Sequence, residues 1–283
     1  MAKPRPALVD PALLRRFRLK NPMFVTETGI AKIWRVTRAN GDQAALKVYH
    51  QGRMGNETHG VAFLRHLNGT GAAMIYDEAP GIILSEWLSG PHLGDLTRSG
   101  QDAVAAHHLV DVARRLHGAS GMSGMSAKGL PLVSDWLDAL FQLKFASECP
   151  ASLKSDVLKC QSIARTLLAA PRDTCVLHGD LHHDNIRGTS RGYCAFDAKG
   201  VVGDKAYELA NGFRNPKGAA AIQRDPQRIA FLAQTWASAF GVAEDHLRAW
   251  AAVKCALSIA WRSKGHLRDD LESDLLSLLL KDV

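Results

Sequence analysis

The chain has 283 residues, 46% hydrophobic and 22% charged, which is typical of a globular protein with one large domain or two small ones. No apolar run reaches the roughly 18 residues of a membrane span, and residues 1–20 lack the apolar core of a secretory signal, so we expect a cytoplasmic protein without a membrane partner. The net charge of +7 favours anionic partners in general, but the basic residues are dispersed, and we expect no nucleic-acid partner.

Strand-like runs dominate the chain before about residue 90. Strands are predicted at residues 32–37, 44–49 and 81–84. One short helix is predicted between the second and third strands. It has Val61, Leu64 and Leu67 on its buried face and stops at Asn68.

Helical periodicity replaces the strand pattern after residue 90. Amphipathic helices are predicted at residues 107–117, 133–145, 152–169, 226–240, 245–261 and 267–280. One β-rich segment interrupts them at residues 175–196. This order predicts an α+β protein with a small β-rich lobe, a larger helical lobe and a cleft between them, where ligands often bind.

The chemically informative segment runs from residue 176 to residue 204. It reads VLHGDLHHDNIRG and then CAFDAKGVVGD, with Asn185 five positions after Asp180 and Asp197 twelve positions after Asn185. Phosphoryl transfer from ATP needs a carboxylate for the proton of the attacking hydroxyl, and an Asn and a further Asp for the magnesium ions. A hairpin before Asp197 would return it to the side of Asn185. The segment therefore supplies the residue types of a phosphotransferase site.

Two upstream residues extend this pattern. Lys47 lies in the strand-like run AALKVY, which would aim its ammonium at the α- and β-phosphates, and Glu57 opens the first helix. A Lys–Glu ion pair that holds the lysine in place belongs to kinase-type geometry. For these two residues alone, a surface ion pair is the alternative. The order Lys, Glu, Asp, Asn, Asp is the strongest functional signal in the chain.

Three motifs after residue 178 carry a family resemblance: HGDLHHDN, FDAKGVVGD and FRNP. With them the chain resembles the aminoglycoside phosphotransferase group of the protein-kinase-like superfamily, most closely its streptomycin 6-kinase and hydroxyurea phosphotransferase branch. That branch reads H-G-D-L-H-x-x-N, D-P-K-G-x-x-G-D and a downstream R-N. The likeness implies a bilobal protein-kinase-like fold, with a small antiparallel N-lobe at residues 23–88 and a helical C-lobe at residues 89–283. Residues 1–22 are then an N-terminal extension.

The resemblance also implies an activity and a set of site residues. The activity is transfer of the γ-phosphate of ATP, with Mg²⁺, to a hydroxyl of a small molecule that is aminoglycoside-like or a related metabolite. Asp180 is implied as the catalytic base, with Asn185 and Asp197 as magnesium ligands. Lys47, held by Glu57, is implied on the phosphates. The other implied nucleotide contacts are a phosphate-covering turn at Gly29 and the adenine-binding hinge at Glu86, Trp87 and Leu88.

The chain departs from the family pattern in two places. Ala198 replaces the usual proline of D-P-K, which predicts a less rigid loop after Asp197. The nucleotide loop TETGIAK has only Gly29 where a G-x-G-x-x-G would stand. Lys199, in the same segment as Ala198, is expected either to neutralise phosphate charge or to be a surface lysine.

Two other functions remain open from the residues alone. One is a metallo-hydrolase, suggested by the ligand-rich cluster His178, Asp180, His182, His183 and Asp184. This alternative is disfavoured, because the metallo-hydrolase signature H-x-H-x-D-H requires a histidine at position 180 and a metal ligand at position 185, where this chain has Asp180 and Asn185. The five scattered cysteines fit neither a disulfide framework nor a zinc ribbon. The other alternative is a catalytically weak kinase fold that only binds nucleotide, although no member of the catalytic set is missing.

The sequence does not single out an acceptor pocket, and it carries no signal for an oligomeric state. A cationic aminoglycoside would require a pocket lined with carboxylates. The carboxylates that suit such a pocket, and equally suit solvated helix faces, are Glu208, Asp225, Asp269, Asp270, Glu272 and Asp274.

Overall fold

The computed structural model describes residues 8–118, 124–281 and 283. Its strands are β1 Lys20–Glu27, β2 Ala31–Thr37, β3 Gln43–Tyr49, β4 Ile75–Ala79, β5 Ile82–Glu86, β6 Lys144–Phe145, β7 Thr174–Leu177, β8 Ile186–Thr189, β9 Gly192–Ala195, β10 Val201–Asp204 and β11 His266–Leu267. Its α-helices are α1 Pro11–Arg16, α2 Thr58–Leu67, α3 Leu93–Arg98, α4 Asp102–His117, α5 Val133–Phe141, α6 Ala151–Ala169, α7 Tyr207–Ala210, α8 Ala220–Gln223, α9 Pro226–Phe240, α10 Glu244–Ser263 and α11 Ser273–Leu279.

The N-lobe contains a five-stranded antiparallel sheet with the order β1-β2-β3-β5-β4. The three predicted strands correspond to β2, β3 and β5. In β2 and β3 the buried residues Trp34 and Val36, and Ala44 and Leu46, alternate with less buried ones on the face toward one core cluster, which is why their pattern was readable. Strand β1 is exposed along its whole length, so it carries no apolar alternation and sequence patterning missed it.

Helix α2 packs between the sheet and the C-lobe. It buries Val61, Leu64 and Leu67, as predicted, and ends at Asn68, whose φ of 44° is left-handed. Asparagine tolerates this conformation better than most residues, which makes it a suitable stop after the helix. The helix follows a short 3-10 turn that contains Glu57.

The residues before the predicted N-lobe take part in the sheet. Val9, Phe17 and Leu19 are buried in one cluster with Trp34 and Leu46. Strand β1 begins at Lys20, before the expected lobe start at residue 23. The lobe boundaries stay a prediction, and residues 1–7 of the expected extension lie outside the described residues.

The C-lobe is built around α10. This helix buries most of its length and contacts α5, α6, α7, α9 and α11, so that one apolar core runs through the lobe. The predicted helices at residues 152–169 and 226–240 agree with α6 and α9, and α4 and α10 begin or end a few residues beyond their predictions. Within the described part of the chain, no helix is both long and apolar enough to cross a membrane.

Two predicted helices were too long. The helix predicted at residues 133–145 ends at Phe141, because Lys144 and Phe145 pair in parallel with β11. The helix predicted at residues 267–280 begins only at Ser273. Arg262 holds the preceding segment through Asp270 and Glu272, and these ion pairs are invisible to local periodicity.

Candidate active site

A cavity of about 330 Å³ lies between the two lobes. The sheet, α2, the segment after β5 and the segment after β9 form its walls. The expected site residues that line it are Lys47, Glu57, Glu86, Trp87, Leu88 and Asp197. Gly29 lies in the turn between β1 and β2 and is not itself among the lining residues, whereas its neighbour Thr28 is. The predicted cleft is therefore present.

Lys47, on β3, is at the centre of an ion-pair cluster in this cavity. Its Nζ donates to Glu57 Oε2 at 2.5 Å and to Asp197 Oδ1 at 2.8 Å. Lys199 donates to Glu57 Oε1 at 3.0 Å and lies 3.7 Å from Asp197 Oδ2. The Tyr49 hydroxyl also donates to Glu57. Two lysines and two carboxylates from distant parts of the chain thus meet at one point.

This cluster is partly shielded from solvent, and its Asp197 and Lys199 remain charged. Glu57 is 5% exposed, so its contact with Lys47 is not a surface ion pair. Burial raises the pKa of Asp197, but Lys47 and Lys199 outweigh burial and bring that pKa to about 2. Burial lowers the pKa of Lys199. Asp197 and Glu57 raise this pKa by more than burial lowers it, so the ammonium stays protonated. Lys199, which the sequence left open, belongs to the cluster.

Asp180 lies in the loop after β7 and is not among the residues that line the cavity. The chain turns at Gly179, whose φ of 78° favours glycine. The fully buried carboxylate of Glu208, on α7, accepts the backbone N–H groups of His178 at 3.0 Å and of Gly179 at 3.2 Å. Glu208 therefore fixes the backbone just before Asp180. It was expected only as a possible pocket carboxylate.

Two asparagines orient the Asp180 carboxylate. Asn211 Nδ2 donates to Asp180 Oδ1 at 2.8 Å, and Asn185 Nδ2 donates to Asp180 Oδ2 at 3.3 Å and to its carbonyl oxygen at 3.0 Å. Arg214 in turn donates to Asn211 Oδ1 at 3.1 Å and forms a two-point ion pair with Glu272. Sequence reasoning missed Asn211. The only signal was its position three residues before the arginine of the FRNP motif.

The predicted hairpin before Asp197 is formed by β8 and β9. Asp197 follows with a φ of 62°, and the next residues pack tightly against α2. A Cβ at Gly60 would lie 1.7 Å from the carbonyl oxygen of Ala198, so only glycine allows this approach. Ala198 itself is buried. The loop after Asp197 is therefore held by packing against α2, at the position where the family pattern has a stiffening proline.

The hinge after β5 is tied to both lobes. The Glu86 carboxylate accepts the N–H of Met74 at 3.2 Å and pairs with Arg191 at 2.5 Å. The guanidinium groups of Arg35 and Arg187 lie 5.7 and 5.8 Å from the Trp87 ring centre. Because the Glu86 carboxylate already binds Met74 and Arg191, the backbone of this segment is the part that is available to bind a ligand.

The histidine cluster does not form a metal site among the residues that the structure describes. His178 is fully buried; its Nδ1 accepts the N–H of Asp180 at 3.3 Å and its Nε2 donates to the Phe196 carbonyl at 3.0 Å. His183 is also fully buried and points into the core against Trp236. The rings therefore serve the loop and the core, and the geometry does not favour a metallo-hydrolase.

These buried histidines predict a loss of stability in mild acid. Burial lowers the pKa of His178 and lowers that of His183 further, so both are neutral in the folded protein. In the unfolded chain the pKa is about 6.5. Below that pH the unfolded state gains protons that the folded state does not, so stability falls as the pH falls. His183, whose pKa is lowered the more strongly, is expected to lower the free energy of unfolding by about 1 kcal/mol between pH 7.5 and 5.5, and His178 by a smaller amount.

Urea unfolding at these two pH values measures the effect. His183→Leu is expected to remove the larger part of the contribution from the pair, because it removes the histidine with the more strongly lowered pKa. The ring nitrogens of His183 have no hydrogen-bond partner among the described residues, so the substitution breaks no such bond. His66→Leu, at an exposed position of α2, is the matched control and should keep the full pH dependence. Equal pH dependence in all three proteins would contradict the assignment.

The six candidate pocket carboxylates are mostly engaged elsewhere. Four have basic partners: Glu208 with His117, Asp270 and Glu272 with Arg262, and Asp274 with Arg224. Asp225 caps the N-terminus of α9, and Asp269 accepts the N–H of Asp270. These contacts show each of the six carboxylates engaged within the fold.

Comparison with known proteins identifies the family. Residues 16–265 match the family described as aminoglycoside/hydroxyurea antibiotic resistance kinase. Streptomycin 3''-kinase of Klebsiella pneumoniae is 35% identical over 238 residues, which cover 81% of this chain and 83% of that protein. Streptomycin 6-kinase of Streptomyces griseus is 28% identical over 210 residues, covering 72% of this chain and 65% of that protein.

Solved structures show the fold. A thermostable mutant of aminoglycoside phosphotransferase APH(4)-Ia, in a ternary complex with ADP and hygromycin B, has a TM-score of 0.63 at 13% identity and covers 97% of this chain and 98% of its own. Choline kinase LicA from Streptococcus pneumoniae has the same TM-score and identity, with 96% and 95% covered. The expected kinase-like fold is confirmed. The chain therefore belongs to the aminoglycoside/hydroxyurea antibiotic resistance kinase family and is a small-molecule phosphotransferase.

Proposed function

We propose that this kinase uses ATP and Mg²⁺ to phosphorylate a hydroxyl of an aminoglycoside-like small molecule, with streptomycin as the first acceptor to test. The choice of acceptor rests on the relative that is 35% identical over most of both chains and is named a streptomycin kinase. We also propose a cytoplasmic location, where the ATP donor is available.

The observation that carries the proposal is the convergence of five residues from four separate segments. Lys47 contacts Glu57 and Asp197 at 2.5 and 2.8 Å, and Asp180 and Asn185 are hydrogen-bonded to each other in the adjacent loop. Phosphoryl transfer requires positioning and charge stabilisation more than covalent chemistry by the protein. A cluster of preset charges and a carboxylate beside it meet those two requirements.

The oxygen atoms of Asn185 and Asp197 suit Mg²⁺, which prefers carboxylate and amide oxygens. The Asn185 side chain uses its Nδ2 toward Asp180, so its Oδ1 is directed away from that contact. The low pKa of Asp197, set by the two lysines against burial, keeps its carboxylate ionised. These two residues would hold the ion, which would neutralise phosphate charge when bound.

Asp180 acts in this mechanism as the base. An oxygen of the acceptor attacks the γ-phosphorus and forms the new P–O bond, while the bond from that phosphorus to the β-bridging oxygen breaks and ADP leaves. The proton of the acceptor hydroxyl passes to a carboxylate oxygen of Asp180. Asn211 and Asn185 fix the direction of that carboxylate, so little reorientation is needed during the reaction.

The lysines stabilise the phosphates, and Glu57 fixes the lysines. Both Lys47 and Lys199 donate to the same buried carboxylate, which limits their freedom before nucleotide binds. Adenine is proposed to lie against the backbone of Glu86, Trp87 and Leu88, and the turn at Gly29 to cover the phosphates. The apolar side chains around the cavity, such as Val61 and Ile83, would enclose the base.

The direct test is transfer of label from γ-labelled ATP in the presence of Mg²⁺. The purified protein is incubated with streptomycin, other aminoglycosides, hydroxyurea and choline. We expect label on streptomycin, and nuclear magnetic resonance of the product then locates the phosphorylated hydroxyl. If the protein binds ADP but labels no compound, the acceptor assignment is wrong. If it binds no nucleotide, the proposed ATP site is wrong as well.

A further inference from the structure

A buried lysine lies in the C-lobe outside the ion-pair cluster. Lys254, in the middle of α10, is 2% exposed. Within the described residues its ammonium forms neither a salt bridge nor a hydrogen bond. Three aromatic rings surround it instead, with their centres 4.7 Å (Trp261), 5.4 Å (Tyr207) and 5.8 Å (Trp136) from Nζ.

A buried cation without an anionic partner is unfavourable for folding. Cation–π contacts contribute about 0.5–2 kcal/mol each, which offsets only part of the loss of hydration. A methionine of similar length would fill the same space without that loss. A lysine at this position is therefore better explained by a binding role than by stability.

A second donor of the same cage also lacks a partner. The hydroxyl of Tyr207 is buried and makes no hydrogen bond to any residue that the structure describes. Its ring packs against Trp250 at 5.3 Å and Trp136 at 6.4 Å, so the side chain is well fixed. Buried polar groups normally have partners, and an unpartnered one in a site points to a missing ligand or water. Within the described residues, the Lys254 ammonium and the Tyr207 hydroxyl are thus two donors without a hydrogen-bond partner, and the ammonium lies 5.4 Å from the centre of the Tyr207 ring.

The cage lies beside Asp180. A Cβ at Gly179, the residue before Asp180, would be 3.0 Å from Cη2 of Trp136. Burial lowers the pKa of Lys254 to about 8, while the nearby Asp180 carboxylate raises it. Trp261 is 44% exposed, so one wall of the cage reaches solvent. A small molecule that presents a hydroxyl to Asp180 would therefore have the cage next to that hydroxyl.

We propose that Lys254 and Tyr207 form an acceptor subsite that donates hydrogen bonds to an oxygen of the acceptor next to the hydroxyl that is phosphorylated. This inference rests on the proposed kinase function and adds to it the chemistry of the acceptor at that point. The subsite binds a hydroxyl, carbonyl or carboxylate oxygen of the acceptor. It rejects an ammonium or quaternary amine, because the cage already contains the protein's own cation.

The main test is Lys254→Met, assayed with streptomycin as acceptor. Loss of one charge-assisted hydrogen bond is expected to raise the KM for streptomycin about 10- to 100-fold. The KM for ATP should stay within about twofold, because the contacts of Lys47 are untouched. The melting temperature should not fall, because a buried unpaired cation is removed. Lys154→Met is the matched control: Lys154 also lies over a ring, Phe145 at 5.5 Å, but is exposed on α6, and its loss should change neither KM.

Tyr207→Phe provides an independent test that does not alter the cage's shape. It removes only a hydroxyl that has no partner in the free protein, so the fold should be as stable or more stable. The KM for streptomycin is expected to rise about 3- to 10-fold. A purely structural tyrosine would give no such change.

The outcomes separate this inference from the proposed function. Transfer to streptomycin by the wild-type protein, with raised acceptor KM in both variants, supports both. Wild-type transfer with an unchanged acceptor KM in Lys254→Met and Tyr207→Phe overturns the subsite alone. A Lys254→Met protein that melts lower, together with an unchanged KM in Tyr207→Phe, assigns the cage to the fold and also overturns it. No wild-type transfer to any acceptor, with ADP still bound, overturns the proposed acceptor and the subsite with it, and no nucleotide binding overturns the proposed ATP site as well.

Discussion

Asp180→Asn is expected to lower kcat by about 10²–10⁴ while leaving the KM for ATP within about twofold. This corresponds to roughly 3–5 kcal/mol of transition-state stabilisation. The amide has nearly the same shape as the carboxylate and still accepts from Asn211, so the loop should keep its conformation. It is, however, a far weaker base. The loss should therefore appear in the chemical step, measured by single-turnover transfer from labelled ATP.

The matched control for this substitution is Asp173→Asn. Asp173 is an exposed aspartate of the same lobe that lies 3.4 Å from Lys205 and takes no part in the cleft. Its turnover should equal that of the wild type. Near-wild-type turnover in Asp180→Asn would remove Asp180 from the role of base. A lowered melting temperature combined with weak ATP binding would instead indicate that the residue mainly supports the loop.

Asp197→Asn is expected to abolish most of the effect of Mg²⁺ on nucleotide affinity and to lower kcat by at least about 10². Asparagine is the right substitution because it tolerates the left-handed backbone at this position better than alanine does. It also retains the side-chain volume beside Lys47 and Lys199. The change thus removes the negative charge with little disturbance of packing.

Calorimetry of ADP binding, with and without Mg²⁺, measures this prediction. We expect a large gain in wild-type affinity on adding Mg²⁺ and little or no gain in the variant. Without Mg²⁺ the variant should bind ADP at least as tightly as the wild type, because one negative charge near the phosphates has been removed. An undiminished Mg²⁺ effect in Asp197→Asn would rule out this residue as a ligand.

Much of the fold was predictable because its elements bury apolar residues at regular intervals. Helix α9, from Pro226 to Phe240, has an aspartate cap before it and a left-handed glycine after it, so both ends are encoded locally. Strand β1 was not predictable, since its exposed side chains show no alternation. Helix α11 was predicted too long because its first expected turn is instead held by arginines from other helices.

The sequence by itself determined the change from strands to helices near residue 90. It also determined the motifs HGDLHHDN and FDAKGVVGD, because phosphoryl chemistry restricts the residue types at fixed short spacings. It also indicated Lys47 and Glu57 as partners, although not that Lys199 joins them. Only the tertiary structure decided that Asn211 orients Asp180 and that Lys254 is enclosed by aromatic rings. Such contacts join residues on separate helices whose local sequences are unrelated. They depend on how the helices pack, and no periodicity within one segment specifies that.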